Sequence, residues 1–409
     1  MKQTKDQRLN TQVASYEGRR PAILGGQPAF AQAVPITKPT VSDILTLKEG
    51  FGKILESGML TNSKFVQEFE AATAQYIGVK HTVAVNSCTN GMILTMRALG
   101  LTGEIIIPSF TFHATAHAAS ICNLKVVFVD CDPETYNVDP LEIEKVITLK
   151  TSAILAVHIF GNPAPVEQLE KIARKHNLKL MFDAAHGFGS MYQGKNLGQF
   201  GDAEIFSLSP TKLLTTGEGG LVATNTAELA AHLKIARNYG DSGNYDCEFS
   251  GISARMSEFH ALLGLESLKM LEKNVTRRNS LVELYKRRLG PLPGISFQKI
   301  EPGNRSSFKD FSILIDEKKF GLDRDALCKC LLAENIIVKK YFYPPVHEQK
   351  VFVGQFPVNG RDLADTKKIS CNSLSLPLYS HIEEETIERI CESIHVIFKN
   401  HQLIKTNSF

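Results

Sequence analysis

The sequence predicts an α/β protein that consists of a large domain with a mainly parallel sheet and a smaller C-terminal α/β domain. Between about residue 65 and residue 225, apolar runs of strand length alternate with helical patterns, which is typical of a parallel sheet covered by helices. A helical stretch from Met256 to Arg288 then ends at Gly290-Pro291, and this punctuation favours a domain boundary. We therefore place the large domain at residues 45–290 and the small domain at 291–409, joined by the N-terminal segment 1–44.

The elements follow one another along the chain. Short runs rich in β-branched residues predict strands at His81–Val85, Glu104–Ile107, Lys125–Val129, Ala153–His158, Lys179–Phe182, Ala203–Phe206 and Gly220–Ala223. Helical patterns between them predict helices at Lys64–Tyr76, Asn90–Leu99, Ala114–Ala119, Pro165–His176 and Glu228–Asn238. Beyond the boundary, a strand is predicted at Phe308–Ile315 and helices at Arg324–Glu334 and Glu383–Lys399.

Composition narrows the classes of partner. Hydrophobic residues make up 43% and charged residues 22% of the 409 residues, as in an ordinary globular protein. The formal net charge of +3 gives no basis for a nucleic-acid or membrane-surface partner. No apolar run approaches the roughly 20 residues of a membrane helix, and Met1–Ser15 lack the apolar core of a signal peptide. The eight cysteines form no C-x-x-C pair, so we expect reduced thiols and a cytoplasmic protein. Because H-E-x-x-H is absent as well, we expect no metal site.

Asp183 closes the predicted strand Lys179–Phe182 and is followed by Ala184-Ala185-His186. An acid at the carboxyl end of a central parallel strand faces the crevice where α/β proteins bind ligands. A carboxylate there is able to hold the nitrogen of a heterocycle protonated. The alternative for an isolated residue is a loop aspartate that caps its own backbone, and His186 is equally compatible with a satisfied loop histidine.

Lys212 lies in a polar loop that joins two predicted strands. Hydroxyl residues precede it in "SLSPTK" and glycines follow it in "TTGEGG". Most lysines are solvated surface groups, but a partly desolvated lysine loses its proton and attacks an aldehyde. The neighbouring hydroxyls suit a phosphate, and the glycines allow tight turns.

The segment "VAVNSCTNG", residues 83–91, reads as a strand, a turn and the start of a helix. Backbone N–H groups at a helix N-terminus favour a phosphate, and Thr89 adds a hydroxyl donor. Simple N-capping by Ser87 or Thr89 explains the same pattern and is compatible with it. Aromatic residues end the next strand in "IIIPSFTF", where Phe110 or Phe112 belongs either to the core or to a ring-stacking site.

Taken together, these segments resemble the DegT/DnrJ/StrS family of sugar aminotransferases, within the fold-type I enzymes that depend on pyridoxal 5'-phosphate (PLP). The resemblance extends from about Thr61 to Ser380. It is carried by "GVKHTVAVNSCTNG", "EIIIPSFTFHATAHAA", "VVFVDCDPETYNVDP", "MFDAAHG", "GDAEIFSLSPTKLLTTGEGG" and "ARMSEFHALLGL", in that order.

The resemblance implies a role for each candidate residue. Lys212 would be the Schiff-base lysine, Asp183 the partner of the pyridinium nitrogen, and His186 a neighbour of the ring hydroxyl. The remaining positions are Thr89, Asn90 and Ser207 at the cofactor phosphate, Phe112 stacked on the ring, and Arg255, which reaches the active site of the neighbouring subunit in a homodimer.

The resemblance also implies a reaction, in which glutamate or glutamine donates an amino group to a nucleotide-linked keto sugar for a polysaccharide or natural product. Tyr341, Tyr343 and His347 lie in a stretch that either lines the acceptor site or belongs to the core. Three alternatives remain, which are amination of a free keto sugar or cyclitol, PLP-dependent sugar dehydration, and a non-catalytic regulator. Lys212 disfavours dehydration because dehydrating family members carry His at its position.

Overall fold

A seven-stranded sheet lies at the centre of the fold. In chain-order numbering, with the ranges given below, its strand order is β1-β9-β8-β5-β4-β2-β3. The computed structural model describes residues 18–41, 43–356, 358 and 360–407. The strands of this sheet are β1 (His81–Val85), β2 (Glu104–Pro108), β3 (Lys125–Val129), β4 (Thr151–Val157), β5 (Lys179–Asp183), β8 (Ala203–Ser207) and β9 (Gly220–Thr224), and a two-stranded hairpin of β6 (Met191–Tyr192) and β7 (Lys195–Asn196) comes between. All pairs from β3 to β8 are parallel, whereas β9 is antiparallel to both β8 and β1. The prediction of a mainly parallel sheet is confirmed.

Helices cover both faces of this sheet because its strands are apolar on both sides. Ile105 and Ile107 pack into one cluster of buried residues and Ile106 into another. The helices are α1 (Ile44–Ser57), α2 (Lys64–Ile77), α3 (Cys88–Ala98), α4 (Ala114–Ile121), α5 (Pro140–Glu144), α6 (Val166–His176), α7 (Ala227–Ala236), α8 (Glu258–Lys269), α9 (Leu271–Leu289), α10 (Glu317–Phe320), α11 (Arg324–Ala333), α12 (Ala364–Asn372), α13 (Glu384–Lys399) and α14 (His401–Asn407). The helical stretch predicted from Met256 to Arg288 is divided into α8 and α9 at Met270. Within the described part of the chain, no helix has the length and apolarity needed to cross a membrane.

A second, antiparallel sheet lies in the C-terminal part, with order β10 (Ile295–Phe297), β11 (Phe311–Ile315) and β12 (Ser373–Leu376). Its core includes Phe30 and Val34 of the N-terminal segment, and Val34 forms a β-bridge with Ile336. These contacts support the proposed grouping of the N-terminal segment with residues 291–409. The boundary at residue 290 stays a prediction, and the second half of α9 already contributes Tyr285 and Leu289 to this core.

One edge of the large sheet collects the candidate residues. Asp183 ends β5 and Ser207 ends β8, and these strands are parallel, so both residues lie at the same edge. The antiparallel β9 begins at that edge, where Gly220 pairs with Ser207 on one side and with Val85 on the other. A Cβ atom at Gly220 would lie 2.5 Å from the backbone nitrogen of Cys88, so a glycine is needed for α3 to start here.

Candidate active site

A cavity of ≈ 320 Å³ lies at this edge of the sheet. The predicted residues in its lining are Thr89, Phe112, Asp183, His186, Ser207 and Lys212. A larger and more open cleft of ≈ 830 Å³ is lined by residues between 132 and 193 together with residues between 299 and 304, and it includes none of the predicted residues. The smaller cavity is therefore the candidate active site, because the predicted lysine, aspartate and histidine converge in the smaller of these two spaces and in it they are accompanied by hydroxyl groups.

Asp183 is held in place by two hydrogen bonds to its carboxylate. The Thr115 hydroxyl donates to Oδ2 at 2.7 Å, and the backbone N–H of Ala185 donates to Oδ1 at 3.0 Å. The side chain is buried, and burial raises the pKa of the carboxyl group above its ordinary value. The two hydrogen bonds and the positive charge of Lys212 act in the opposite direction, so they favour the ionised form. The carboxyl group of Asp183 is thus fixed in position in the wall of the cavity.

The Lys212 side chain enters the same cavity from the loop between β8 and β9. Burial lowers the pKa of its amine from the ordinary 10.5 to about 8, and the nearby charge of Lys309 adds to this effect. Asp310, Cys88 and Asp183 act against it. No hydrogen bond or ion pair of this amine occurs among the described residues. The neutral form of this amine is a minor fraction at pH 7, but that fraction is far larger than for an ordinary lysine and is available as a nucleophile.

His186 is a neutral hydrogen-bond donor toward the cavity. Its Nδ1 accepts the backbone N–H of Phe160 at 3.2 Å, so the proton of the neutral ring is on Nε2. Burial lowers the pKa of this imidazole well below 6.5, and the charges of Lys212 and Lys309 add to that. The ring is stacked with Phe342, whose centroid lies 6.3 Å away. A fixed tautomer and a fixed orientation are what a directional contact to a ligand requires.

The N-terminus of α3 supplies hydroxyl groups and backbone donors. Ser87 caps the helix because its Oγ accepts the backbone N–H of Asn90 at 3.1 Å. Ser87 and Thr89 line the cavity, as do Ser207 and Ser209 on the opposite side. Capping and anion binding are therefore compatible here, as expected from the sequence. This set of donors suits a phosphate at the positive end of the helix dipole.

Two predicted cofactor contacts lie outside the cavity lining. The Asn90 side chain donates to Asn86 Oδ1 at 2.8 Å, and its backbone N–H already donates to Ser87 Oγ, so Asn90 supports the helix start rather than the cavity wall. Arg255 donates to the Asn238 side chain, and its guanidinium lies 5.5 Å from the Tyr239 ring centroid. Within one chain, Arg255 is not part of the site.

The stretch Tyr341–His347 divides between site and core. Tyr341 lines the cavity. Tyr343 does not, and its ring lies 4.7 Å from the Arg324 guanidinium. His347 is buried and its Nδ1 lies 2.5 Å from Ser109 Oγ, which is a core role.

Sequence reasoning missed Thr115, Lys309 and Asp310. Thr115 lies in the first turn of α4, where a hydroxyl near a helix start has an ordinary explanation. The pair Lys309-Asp310 is embedded among apolar residues in "FKDFSILI" just before β11, and a charged pair in such a run was a signal that it is buried. Its position beside Lys212 depends on tertiary structure.

The parallel sheet, the enclosed lysine and the buried aspartate at its carboxyl edge define the class of fold-type I transferases. Residues 46–395 match the model of the DegT/DnrJ/EryC1/StrS aminotransferase family. The dTDP-4-amino-4,6-dideoxy-D-glucose transaminase of Escherichia coli is 33% identical over 364 residues, which cover 88% of this chain and 97% of that protein. GDP-perosamine synthase of Caulobacter vibrioides is 32% identical over 336 residues, with 81% and 89% covered.

Among solved structures, that of DesI in the presence of its TDP-sugar product is 35% identical and superposes with a TM-score of 0.88, covering 95% of this chain and 99% of DesI. The chain belongs to the DegT/DnrJ/EryC1/StrS aminotransferase family and is an aminotransferase. The predicted family, fold class and enzyme class are confirmed.

Proposed function

We propose that this enzyme uses PLP to move an amino group from glutamate or glutamine to a keto sugar, carried by a nucleotide, for polysaccharide or natural-product biosynthesis. The observation that carries the proposal is the Lys212 amine, which has no partner among the described residues and shares one cavity with the buried Asp183 carboxylate. That combination is suited to a cofactor with an aldehyde and a basic ring nitrogen.

The chemistry of the cavity fits PLP. An anion for the ring nitrogen (Asp183), a neutral donor for the ring hydroxyl (His186) and an amine for the aldehyde (Lys212) line one cavity of ≈ 320 Å³. Hydroxyls and a helix N-terminus for the phosphate line it as well. When bound, PLP supplies an aldehyde that captures amines and a ring that withdraws electrons from the substrate.

Each side chain then has a defined task. Lys212 would hold the cofactor covalently, and its released amine would move a proton to and from the substrate carbon. Asp183 would keep the ring nitrogen protonated, and Thr115 would aid this because its hydrogen bond favours the carboxylate. Thr89, Ser207 and the first backbone N–H groups of α3 would hold the phosphate. Phe112, which is 47% exposed and lines the cavity, would pack against the ring.

Support for a nucleotide-sugar acceptor comes from the relatives. The E. coli and C. vibrioides proteins are named for a dTDP-linked and a GDP-linked sugar, and DesI was solved in the presence of its TDP-sugar product. Glutamate or glutamine as the donor is what the family resemblance implies.

A homodimer with shared active sites is part of the proposal. Large apolar side chains are exposed on α1 and just after it, including Leu45 (69%), Leu55 (63%) and Met59 (57%). Exposed apolar side chains of this size favour a protein partner. Arg255 lies outside its own cavity lining, as expected for a residue that serves the neighbouring site.

A cytoplasmic location completes the proposal. All eight cysteines are free thiols in the structure, and five of them are buried. Free thiols are typical of a reducing compartment.

The activity is tested by spectroscopy and by an acceptor panel. The holoenzyme is expected to lose its visible absorption band on addition of glutamate and to recover it with a nucleotide-linked keto sugar. Labelled glutamate then transfers its nitrogen to the accepted sugar. A band that neither glutamate nor glutamine changes would contradict the proposal.

The shared site is tested by complementation. Lys212→Gln and Arg255→Ala chains are each expected to be impaired when expressed alone. Co-expressed chains that pair at random form one intact site in half of the dimers, which restores about a quarter of the wild-type sites. If mixed dimers gain nothing, Arg255 does not serve the neighbouring subunit.

A further inference from the structure

A buried ion pair lies in the wall of the cavity beside Lys212. Lys309 Nζ lies 2.9 Å from Asp310 Oδ1, and the two side chains are only 5% and 6% exposed. Both residues line the cavity. The Lys309 amine also lies 5.7 Å from the ring centroid of Tyr341, which lines the same space. None of the roles assigned to the cofactor site uses this pair.

The pair is incompletely satisfied within the described residues. Asp310 Oδ2 is buried and has no hydrogen-bond partner, although its other oxygen is bonded to Lys309. An ammonium group has three N–H donors, and the side-chain hydrogen bond found for Lys309 uses one of them. A buried carboxylate oxygen without a partner is costly, so it is expected to acquire one when a ligand binds.

The backbone of the pair is held from behind. Arg278 Nη1 donates to the carbonyl oxygens of Phe308 and Lys309, both at 3.1 Å, and its Nε donates to Ser380 Oγ at 3.2 Å. The Lys309 backbone N–H donates to the carbonyl of Phe160 at 3.0 Å. Arg278 is not among the residues that line the cavity. These bonds fix the pair in one position, which is what a specific contact needs.

The unused hydrogen-bonding positions of Lys309 and Asp310 favour one kind of ligand. Asp310 Oδ2 is an acceptor, so a substrate carboxylate has nothing to donate to it and is repelled. A substrate ammonium would be repelled by the ammonium of Lys309, 2.9 Å from the same carboxylate. A hydroxyl group donates to Asp310 and accepts from Lys309 at the same time. The pair is therefore complementary to a neutral hydroxyl.

We propose that Lys309 and Asp310 recognise the hydroxyl next to the reacting carbon of the acceptor sugar. This assignment rests on the proposed function and names a specificity determinant of that same site. The position follows from proximity, because Lys309, Asp310 and Lys212 line the same cavity. A hydroxyl bound by the pair thus lies near the amine that handles the reacting carbon.

The test compares two amino sugars as substrates of the holoenzyme in the reverse half-reaction. The probes are dTDP-4-amino-4,6-dideoxy-D-glucose and its 3-deoxy counterpart, which lacks the hydroxyl next to the reacting carbon. Wild-type enzyme is expected to prefer the first by about 10- to 100-fold in kcat/KM, as for a hydrogen bond to a charged pair. The Lys309→Met/Asp310→Asn double variant removes both charges together, so no buried charge is left unpaired.

In the double variant the preference is expected to fall to within about 3-fold. The fall should come from a lower kcat/KM for the hydroxylated sugar and not from a higher kcat/KM for the 3-deoxy sugar. Calorimetric binding of both sugars to borohydride-reduced holoenzyme gives a readout that does not depend on turnover. The single variant Asp310→Asn, which changes size least, is expected to lose part of the preference and serves if the double variant does not fold. Lys299→Met, an exposed lysine paired with Glu134 and Glu301 outside the cavity, keeps the wild-type preference.

Equal reaction of wild-type enzyme with the two sugars would overturn the assignment, as would an unchanged preference in both variants. A loss toward glutamate as large as the loss toward the hydroxylated sugar would overturn it too, because the pair would then act on the donor or the cofactor. If wild-type holoenzyme responds to glutamate but to neither sugar, this acceptor class is wrong and the assignment falls with it. If it responds to no amine at all, the proposed function itself has failed.

Discussion

Replacement of Thr115 by valine removes one hydrogen bond to the buried Asp183 carboxylate and changes the volume of the side chain very little. The Thr115 hydroxyl donates to Asp183 Oδ2 at 2.7 Å, and it also lies 2.9 Å from the hydroxyl of Thr111. A hydrogen bond to a charged group contributes about 1.5–3 kcal/mol. Since this stabilisation belongs to the ionised form, its loss would raise the pKa of Asp183 further.

The direction of the change in the Asp183 pKa follows from the protonation state that the Thr115 hydrogen bond favours. Burial already raises the pKa of Asp183, and the Thr115 hydrogen bond opposes this by stabilising the carboxylate. The valine variant therefore protonates at a higher pH. Because the proposed reaction needs the ionised form opposite the ring nitrogen, the acid side of the rate profile should move to higher pH.

The assay is the rate at which glutamate removes the visible band of the holoenzyme in a single turnover, measured between about pH 5 and pH 9. Thr95→Val is the matched control, since Thr95 is equally buried and its hydroxyl donates to the carbonyl of Gly91 within α3. Its profile should coincide with that of the wild type. Superimposable profiles for Thr115→Val and wild type, or an equal shift in the control, would refute the reasoning.

Three further predictions concern Lys212, Gly220 and Phe112. The rate at which PLP reloads cofactor-free enzyme should rise with pH and reach half its maximum near pH 8, because burial lowers the Lys212 pKa to about 8 and the neutral amine is the nucleophile. A rate that reaches half its maximum only near pH 10.5, the ordinary pKa of a lysine, would contradict this. Gly220→Ala should weaken PLP binding and reduce the free energy of unfolding by about 1–3 kcal/mol, because the new Cβ would meet the start of α3. Gly52→Ala in α1 is the control, since its new Cβ meets nothing within 4 Å, and it should change neither the Kd of PLP nor the melting temperature. Phe112→Ala should raise the Kd of PLP with little loss of stability, because the side chain is 47% exposed. Phe110→Ala removes a fully buried side chain and should lose about 3–5 kcal/mol of stability. Equal melting temperatures for the two variants would argue against a binding role for Phe112 and a core role for Phe110.

Strand positions were predictable because their signal is local. The predicted bounds of β1 and β3 agree with the structure, since each is a short β-branched run whose side chains must be buried by helices. The start of α3 was placed at Asn90 rather than Cys88, because Ser87 as the cap fixes a start that periodicity alone does not. The break at Met270 was missed for a similar reason, as an apolar pattern continues across it.

The site was predictable where its residues terminate strands or begin helices, as Asp183, Ser207 and Thr89 do. The carboxyl ends of parallel strands meet at one edge, so their proximity follows from topology. Lys309 and Asp310 come from the other part of the chain, nearly a hundred positions after Lys212, and no local rule places them beside it. The hydrogen bond from Thr115 to Asp183 likewise depends on how α4 packs over the sheet.

The central claim is that one particular amine holds the cofactor, and the cavity contains two lysines that could compete for this role. Borohydride reduction of the PLP-loaded enzyme, followed by proteolysis and mass spectrometry, identifies the attached residue directly. We predict the phosphopyridoxyl mass on the peptide that contains Lys212, and none on the peptide that contains Lys309. A label on Lys309, or no stable label after loading, would contradict the account.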